Sequence, residues 1–271
     1  MKKIFLLFWF LSNSVIAQTQ SSALINFKNA KIVNDSLTYS DGIPFNEFNA
    51  VKTNLDFDLE YKFATFAEIF DNKNDKTETL YLKHWSSPIN IYIDESIDKK
   101  IKTKLVDYIK QLSKLKIIEI NVVTKKAPYN YIIETTNEKL EMKNSTKMAY
   151  PFYEGVSYKM NEDKNCKTLL CRLQINKNQV VDEELQFRKL KQYLFLTLGN
   201  FVAQFDLPSD SMLSIDYKTA DKICDFDVAI LTHHYNFYNK NKINVTTYTQ
   251  IQSKLREDKN LKDGTKVKIK I

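Results

Sequence analysis

The order in which the apolar period changes along the chain constrains its fold more than any other feature. Ile97, Ile101, Leu105, Ile109, Leu112 and Leu115 recur every three or four residues. That spacing makes one apolar stripe on a helix over 96–115, with Ser96 as its expected cap. On either side the period falls to two. Residues 80–82 (LYL), 89–93 (INIYI), 117–123 (IIEINVV), 131–133 (YII) and 169–175 (LLCRLQI) read as strands, and Pro88 marks an edge or a bulge. A longer helix is expected from an Asp182 cap through Phe205, with Leu185, Leu190, Leu194, Leu198, Phe201 and Val202 on its apolar face and Pro208 ending it. Further helices are expected over 55–70, 225–238 and 245–256. Residues 148–158 are aromatic and ambiguous. The closing KVKIKI alternates and reads as an edge strand or a mobile tail. Strand, helix, several strands, long helix and helical tail make an α+β class: a mixed sheet packed by two long helices, with a helical C-terminal part. The regular alternation of a doubly wound fold is missing.

The first 17 residues address the chain rather than shape it. Lys2 and Lys3 precede an apolar run over 4–11, and Val15, Ile16 and Ala17 offer the residues a signal peptidase reads. A secretory signal cleaved before Gln18 is expected, so the mature protein is secreted or periplasmic. The run is far shorter than the roughly 20 residues that span a bilayer, and no stable membrane anchor is expected after cleavage. Four segments follow: a signal peptide at 1–17, an N-terminal extension with a helix at 18–78, the main domain at 79–257 and a C-terminal tail at 258–271.

Composition excludes several functions. The only glycines are Gly42, Gly155, Gly199 and Gly264, and no two lie close together. Phosphate-cradling loops need clustered glycines, so P-loop and dinucleotide sites are excluded. Arg172, Arg188 and Arg256 are the only arginines against a formal charge of +7, which disfavours nucleic-acid binding. Cys166, Cys171 and Cys224 allow one disulfide in an oxidising compartment. Cys166–Cys171 would pin a turn, and Cys224 is a partner for either.

Three segments sharpen the element order into a resemblance. Residues 199–207 (GNFVAQFDL), 211–215 (SMLSI) and 227–235 (DVAILTHHY), with 84–89 (HWSSPI) before them, lie in the order and spacing of the metzincin-type metallopeptidases. The chain resembles that zincin-like fold over roughly residues 79–240, as found in secreted bacterial families. By that resemblance the first segment matches the H-E-x-x-H-x-x-G helix, the second the methionine-containing turn and the third the C-terminal helix.

The departures from the pattern shape the functional expectation. The two metal-binding histidines match Gly199 and Ala203, the general-base glutamate matches Asn200, and the third ligand position matches Ser209. Zinc hydrolysis needs imidazole or carboxylate ligands with an open position for water, so no metal and no cofactor is expected. The only histidines are His84, His233 and His234, and the adjacent pair would point about 100° apart on a helix. The expected function is that of a pseudoenzyme that binds an extended peptide or an envelope protein. Asn200, Gln204 and Asp210 are the candidate cleft residues, and the amides of Asn200 and Gln204, expected one helical turn apart, would meet a peptide backbone. Two other readings stand beside this one. The first is a hydrolase using Glu183, Glu184, Asp206 and Asp210 as carboxylate pairs. The second is a purely structural envelope protein.

Overall fold

The computed structural model describes residues 31–33, 36–38, 48–66, 81–140, 155–218, 222–237 and 243–270. The expected signal peptide lies outside these residues. So does most of the ambiguous aromatic stretch.

A six-stranded sheet forms the centre. It comprises β4 (His84–Trp85), β5 (Ile89–Ile93), β6 (Ile120–Val123), β7 (Tyr131–Thr135), β8 (Val156–Glu162) and β9 (Lys167–Ile175). The order is β4-β9-β7-β5-β6, and β8 pairs with β9. Every pairing is parallel except that of β8, which returns on β9 through a hairpin. The hairpin turns on Asp163, whose Oδ1 accepts from Asn165 N at 2.7 Å and Lys167 N at 3.0 Å. Register aligns one face across strands: Ile91 with Tyr131, Tyr131 with Cys171, Ile133 with Leu173. All of these are buried. The opposite face carries Arg172, Glu134 and Gln174, joined by bonds to Glu134 Oε1 of 2.9 and 2.8 Å. A strand with period-two burial can do this because successive side chains leave opposite faces.

Helices cover the apolar face. The first, α1, is Leu55–Phe66, and α2 (Lys99–Lys114) connects β5 to β6. Asp98, not Ser96, caps α2, accepting from Lys100 N. Ser96 Oγ instead accepts from Thr135 N at 3.1 Å, tying the preceding turn to the end of β7. Helix α3 (Glu183–Gly199) buries nearly its whole circumference, followed by α4 (Asp225–Asn236) and α5 (Val245–Glu257). The molecule is thus a mixed α/β chain with a mainly parallel six-stranded sheet and five helices among the described residues.

Strands from near both ends of the described residues meet in a second sheet. β1 (Lys31–Val33), β2 (Ser36–Thr38), β3 (Phe48–Val51) and β10 (Lys266–Lys270) run in the order β1-β2-β10-β3. The closing strand is therefore neither an edge nor a loose tail. It lies parallel to β2 and antiparallel to β3. Lys52 latches the junction: its Nζ donates to the carbonyls of Asp258 at 3.0 Å and Leu261 at 2.6 Å, just past the end of α5. Gly264, at φ +84°, makes the turn that returns the chain to Lys52. Tyr61 and Ala64 of α1 belong to the same apolar core as the central sheet, so the N-terminal helix is no appendage.

The expected Cys166–Cys171 disulfide is absent. Cys171 lies inside β9, while Cys166 occupies the hairpin turn before that strand. Five residues of extended chain span roughly 16 Å, far beyond the reach of a disulfide. The Cys171 thiol is pushed up to about 12 by burial.

Candidate functional site

The segment matched to the peptidase motif begins on α3. Asp182 caps the helix by accepting from Leu185 N at 2.7 Å. Along the helix even polar side chains are buried, because it runs beneath the sheet and between α2 and α4. Thr197 shows how they are satisfied. Its carbonyl accepts from Trp85 Nε1 at 3.0 Å, and its hydroxyl meets Tyr131 Oη at 2.9 Å.

The helix stops at Gly199, well before Pro208. Asn200 takes the left-handed conformation (φ 52°, ψ 42°), and the Phe201 N–H reaches back to the Leu196 carbonyl at 2.8 Å. This is a Schellman-type ending, with asparagine in the place glycine commonly fills. The ring of Phe201 then folds over Gly199. A Cβ at Gly199 would lie 2.3–2.7 Å from three of its ring atoms. Phe201 is fully buried, between Phe195 (centroids 5.9 Å apart) and His234 (5.0 Å). Gly199 and Ala203 therefore do not share a helical face, and the expected one-turn spacing of Asn200 and Gln204 is lost.

Residues 203–218 close into a bonded loop. Gln204 N donates to Leu213 O at 2.6 Å, and Ile215 N donates to Gln204 O at 2.9 Å. Two buried side chains clamp the methionine turn. Gln192 Nε2, from α3, donates to the carbonyls of Met212 (3.0 Å) and Ser214 (2.8 Å). Asp227, from α4, accepts from Ser211 Oγ at 2.6 Å and Met212 N at 2.8 Å. Tyr108 Oη donates to Met212 Sδ at 2.9 Å. Burial raises the Asp227 carboxyl above its ordinary value, while the Ser211 and Met212 donors hold it back. Asp227→Ala is expected to cost about 2–4 kcal/mol in urea unfolding, because it strands the buried Met212 N–H. Asp227→Asn, which keeps one acceptor, is expected to lose less.

The candidate cleft residues each make contacts of their own. Asn200 caps the helix. The Gln204 amide donates to Glu60 O at 3.3 Å, across to α1. Ser209 and Asp210 are exposed, and Ser209 O accepts from Lys218 N. Ala203 is buried without a functional group. The carboxylate pairs fare likewise. Glu183 and Glu184 start α3 and pair with Lys100 and Lys104 of α2. Asp206 and Asp210 follow its other end, where the charge of Asp206 acts on Glu60 and that of Asp210 on Cys224. A glycosidase needs two carboxyls facing one cleft.

The histidines lie in the core. His234 Nδ1 meets Tyr61 Oη at 3.0 Å and its Nε2 meets Lys83 O at 2.9 Å. His233 Nε2 meets Tyr248 Oη at 2.9 Å. Next to them, Asp58 is fully buried with Lys62 at 3.0 Å and Arg256 at 3.1 Å. Burial lowers both histidines to about 3, and His84 to about 4 with Lys167 adding to the effect. Among the described residues no group of three His, Cys, Asp or Glu side chains is placed to hold a metal ion. Sequence reasoning missed Gln192, Tyr61, Asp58 and Tyr248. Nothing in their local spacing separates a clamp from an ordinary helix residue.

No protein-family model matches the sequence, and no curated protein matches it. Among solved structures, the chain is similar to archaemetzincin from Methanopyrus kandleri. The identity is 10% and the TM-score 0.30, over 62% of this chain and 96% of that one. A likeness of that degree assigns no activity to this chain.

Proposed function

We propose that this chain is a non-catalytic, zincin-like binding protein of the cell envelope, whose ligand is an extended peptide or an envelope protein segment. The observation that carries the reading is where the chemistry-bearing side chains are spent. His233, His234, Asp227 and Gln192 are buried and bonded to the chain's own tyrosines and turns. The order of the motif segments supports the zincin-like part, and the replacement of ligand positions by Gly199, Asn200, Ala203 and Ser209 supports the non-catalytic part. For binding, β8 is favoured over the scattered amides. Among the described residues it pairs only with β9, leaving the other edge of a seven-residue strand to main-chain pairing. The packing of Phe201 onto Gly199 supports the purely structural reading instead, since it fills the space beside Asn200.

The exported protein, whose intact mass is expected to match residues 18–271, supplies the test. Zinc titration is expected to show no stoichiometric site. An extended β-branched peptide is expected to bind, and to lose most of its affinity when its backbone is N-methylated. Stoichiometric zinc whose removal by a chelator abolishes peptide hydrolysis would end the non-catalytic reading. Equal binding of the two peptides would end the strand-edge one.

A further inference from the structure

We propose that the open face of the central sheet, at a bulge carrying Leu169 and Leu170, docks an acidic amphipathic helix of a partner protein. Parallel strands are ordinarily covered on both faces. Here the helices cover the face that carries Ile91, Tyr131 and Leu173. Over β5 the opposite face is crossed by the connection 124–130, which lays Tyr129 against Tyr92 with ring centroids 5.2 Å apart. Over β7, β9 and β8 it carries Ile132, Leu170, Arg172, Lys159 and Asn161, all exposed or half-buried. The register sets Ile132, Arg172 and Lys159 in one row across three strands, with Leu170 beside Asn161 in the next.

The bulge adds a second leucine to this face. Asn161 of β8 pairs with Leu170 and Glu162 with Thr168, so Leu169 is the extra residue. Thr168 shares the inner face with Trp85, its partner on β4, whose indole reaches α3. Cys171, three residues on, is turned inward too. Regular alternation would bury Leu169 with Cys171, Leu173 and Ile175. Instead both leucines lie on the open side, 47% and 48% exposed, and neither packs against the core.

The charge around the leucines selects the partner. Glu134 is held by Arg172 and Gln174, Glu162 by Lys83, and Asp163 by the hairpin turn. Lys159, and Lys164 in that turn, are exposed, and neither pairs with an acid among the described residues. The uncompensated charge is therefore positive. A second copy meeting this face symmetrically would set lysine against lysine. A helix is the element that covers a sheet face. Glutamates beside its apolar stripe would meet Lys159, Lys164 and Arg172. This surface is separate from the open edge of β8, where recognition is by main-chain groups.

The probe is a labelled helical peptide of about 18 residues with a leucine stripe flanked by glutamates, compared with a twin carrying lysines. Fluorescence anisotropy on the full mature protein is expected to show saturable binding of the glutamate peptide only. Leu169→Ser and Leu170→Ser are each expected to weaken it about tenfold. Lys159→Gln with Lys164→Gln is expected to weaken it severalfold and to flatten its salt dependence. A thermal midpoint within about 2 °C of the parent shows that each variant is folded. Excess extended β-branched peptide is expected not to compete, and competition would move the site to the β8 edge and overturn the proposal. Equal binding of both helical peptides, no binding of the glutamate peptide, or undiminished binding by folded Leu170→Ser protein also overturns it. So does self-association, or binding to phosphatidylglycerol vesicles, that Leu170→Ser abolishes, since the face would then belong to a second copy or to a membrane.

Discussion

Taking the protein from pH 7 to pH 4 is expected to unfold it, and the buried histidines are the main cause. His233 and His234 are held near 3 in the fold, against about 6.5 in an unfolded chain. A depressed folded value means that the fold prefers the neutral ring. The associated stability is complete above about pH 6.5 and is lost as pH falls toward 3. Each histidine contributes a loss of about 1.4 kcal/mol per pH unit in that window. By pH 5 the pair has removed about 4 kcal/mol, and His84, lowered to about 4, adds in the same direction. Domains of ordinary stability hold about 5–15 kcal/mol, so the loss is decisive before pH 4. Asp227 and Glu60 act in the opposite sense. Their folded values are raised, so they favour the fold as pH falls through the carboxylate range. They oppose the histidines only at the lower end of the window.

Urea unfolding at a series of pH values checks this. Between pH 6 and 5 the slope is expected to correspond to uptake of about two to three protons on unfolding. His234→Gln and His233→Gln are each expected to reduce that slope by about one proton, whatever stability they lose at pH 7 with the tyrosine contact. A parent protein whose stability is flat down to pH 4 contradicts the account.

The parts of the fold that were legible in the sequence are those with a clean local period. The stripe from Ile101 to Leu112 packs inward as α2, Ile89–Ile93 is a strand buried at four of its five positions, and Lys167–Ile175 is a strand whose burial alternates from Cys171 onward. The angular argument about His233 and His234 also agrees with their geometry, since the two rings find different tyrosines. What was not legible depended on distant partners or on backbone sign. Apolar residues continue through Phe201, Val202 and Phe205, so the period runs past Gly199 although the helix does not. The stop is made by a left-handed Asn200, and asparagine signals it far less clearly than glycine does. The closing KVKIK alternates like a tail because its neighbours are β2 and β3, at the other end of the chain. Asp58 sits two residues after Asp56 in an ordinary-looking helix start. Lys62, one turn on, and Arg256, from α5, together compensate its complete burial, and the second of them is not visible locally.

Gly199→Ala is expected to destabilise the protein by about 2 kcal/mol, although helix propensity alone favours alanine by up to about 1 kcal/mol. The new methyl group would stand 2.3 Å from the tip of the Phe201 ring. Flexible side-chain ends often yield to such a contact, but this ring cannot swing away cheaply. Phe195 and His234 pack against it, and it has no exposed surface. Expelling it altogether would cost about 3–5 kcal/mol, so partial overpacking is the lesser loss. In a Phe201→Leu background the same glycine substitution is expected to become neutral or favourable. A double-mutant cycle therefore separates the ring contact from any intrinsic demand for glycine. The outcome also bears on the zincin-like reading we propose. If Gly199 is held by Phe201, then Gly199→His with Ala203→His cannot build a zinc site: the first imidazole must displace a buried ring, and the second lies beyond the end of the helix. That double variant is expected to bind no zinc and to be destabilised by more than Gly199→Ala alone. A neutral Gly199→Ala, or a zinc-binding double variant, would instead make the glycine a dispensable replacement in a slot that still accepts its ligands.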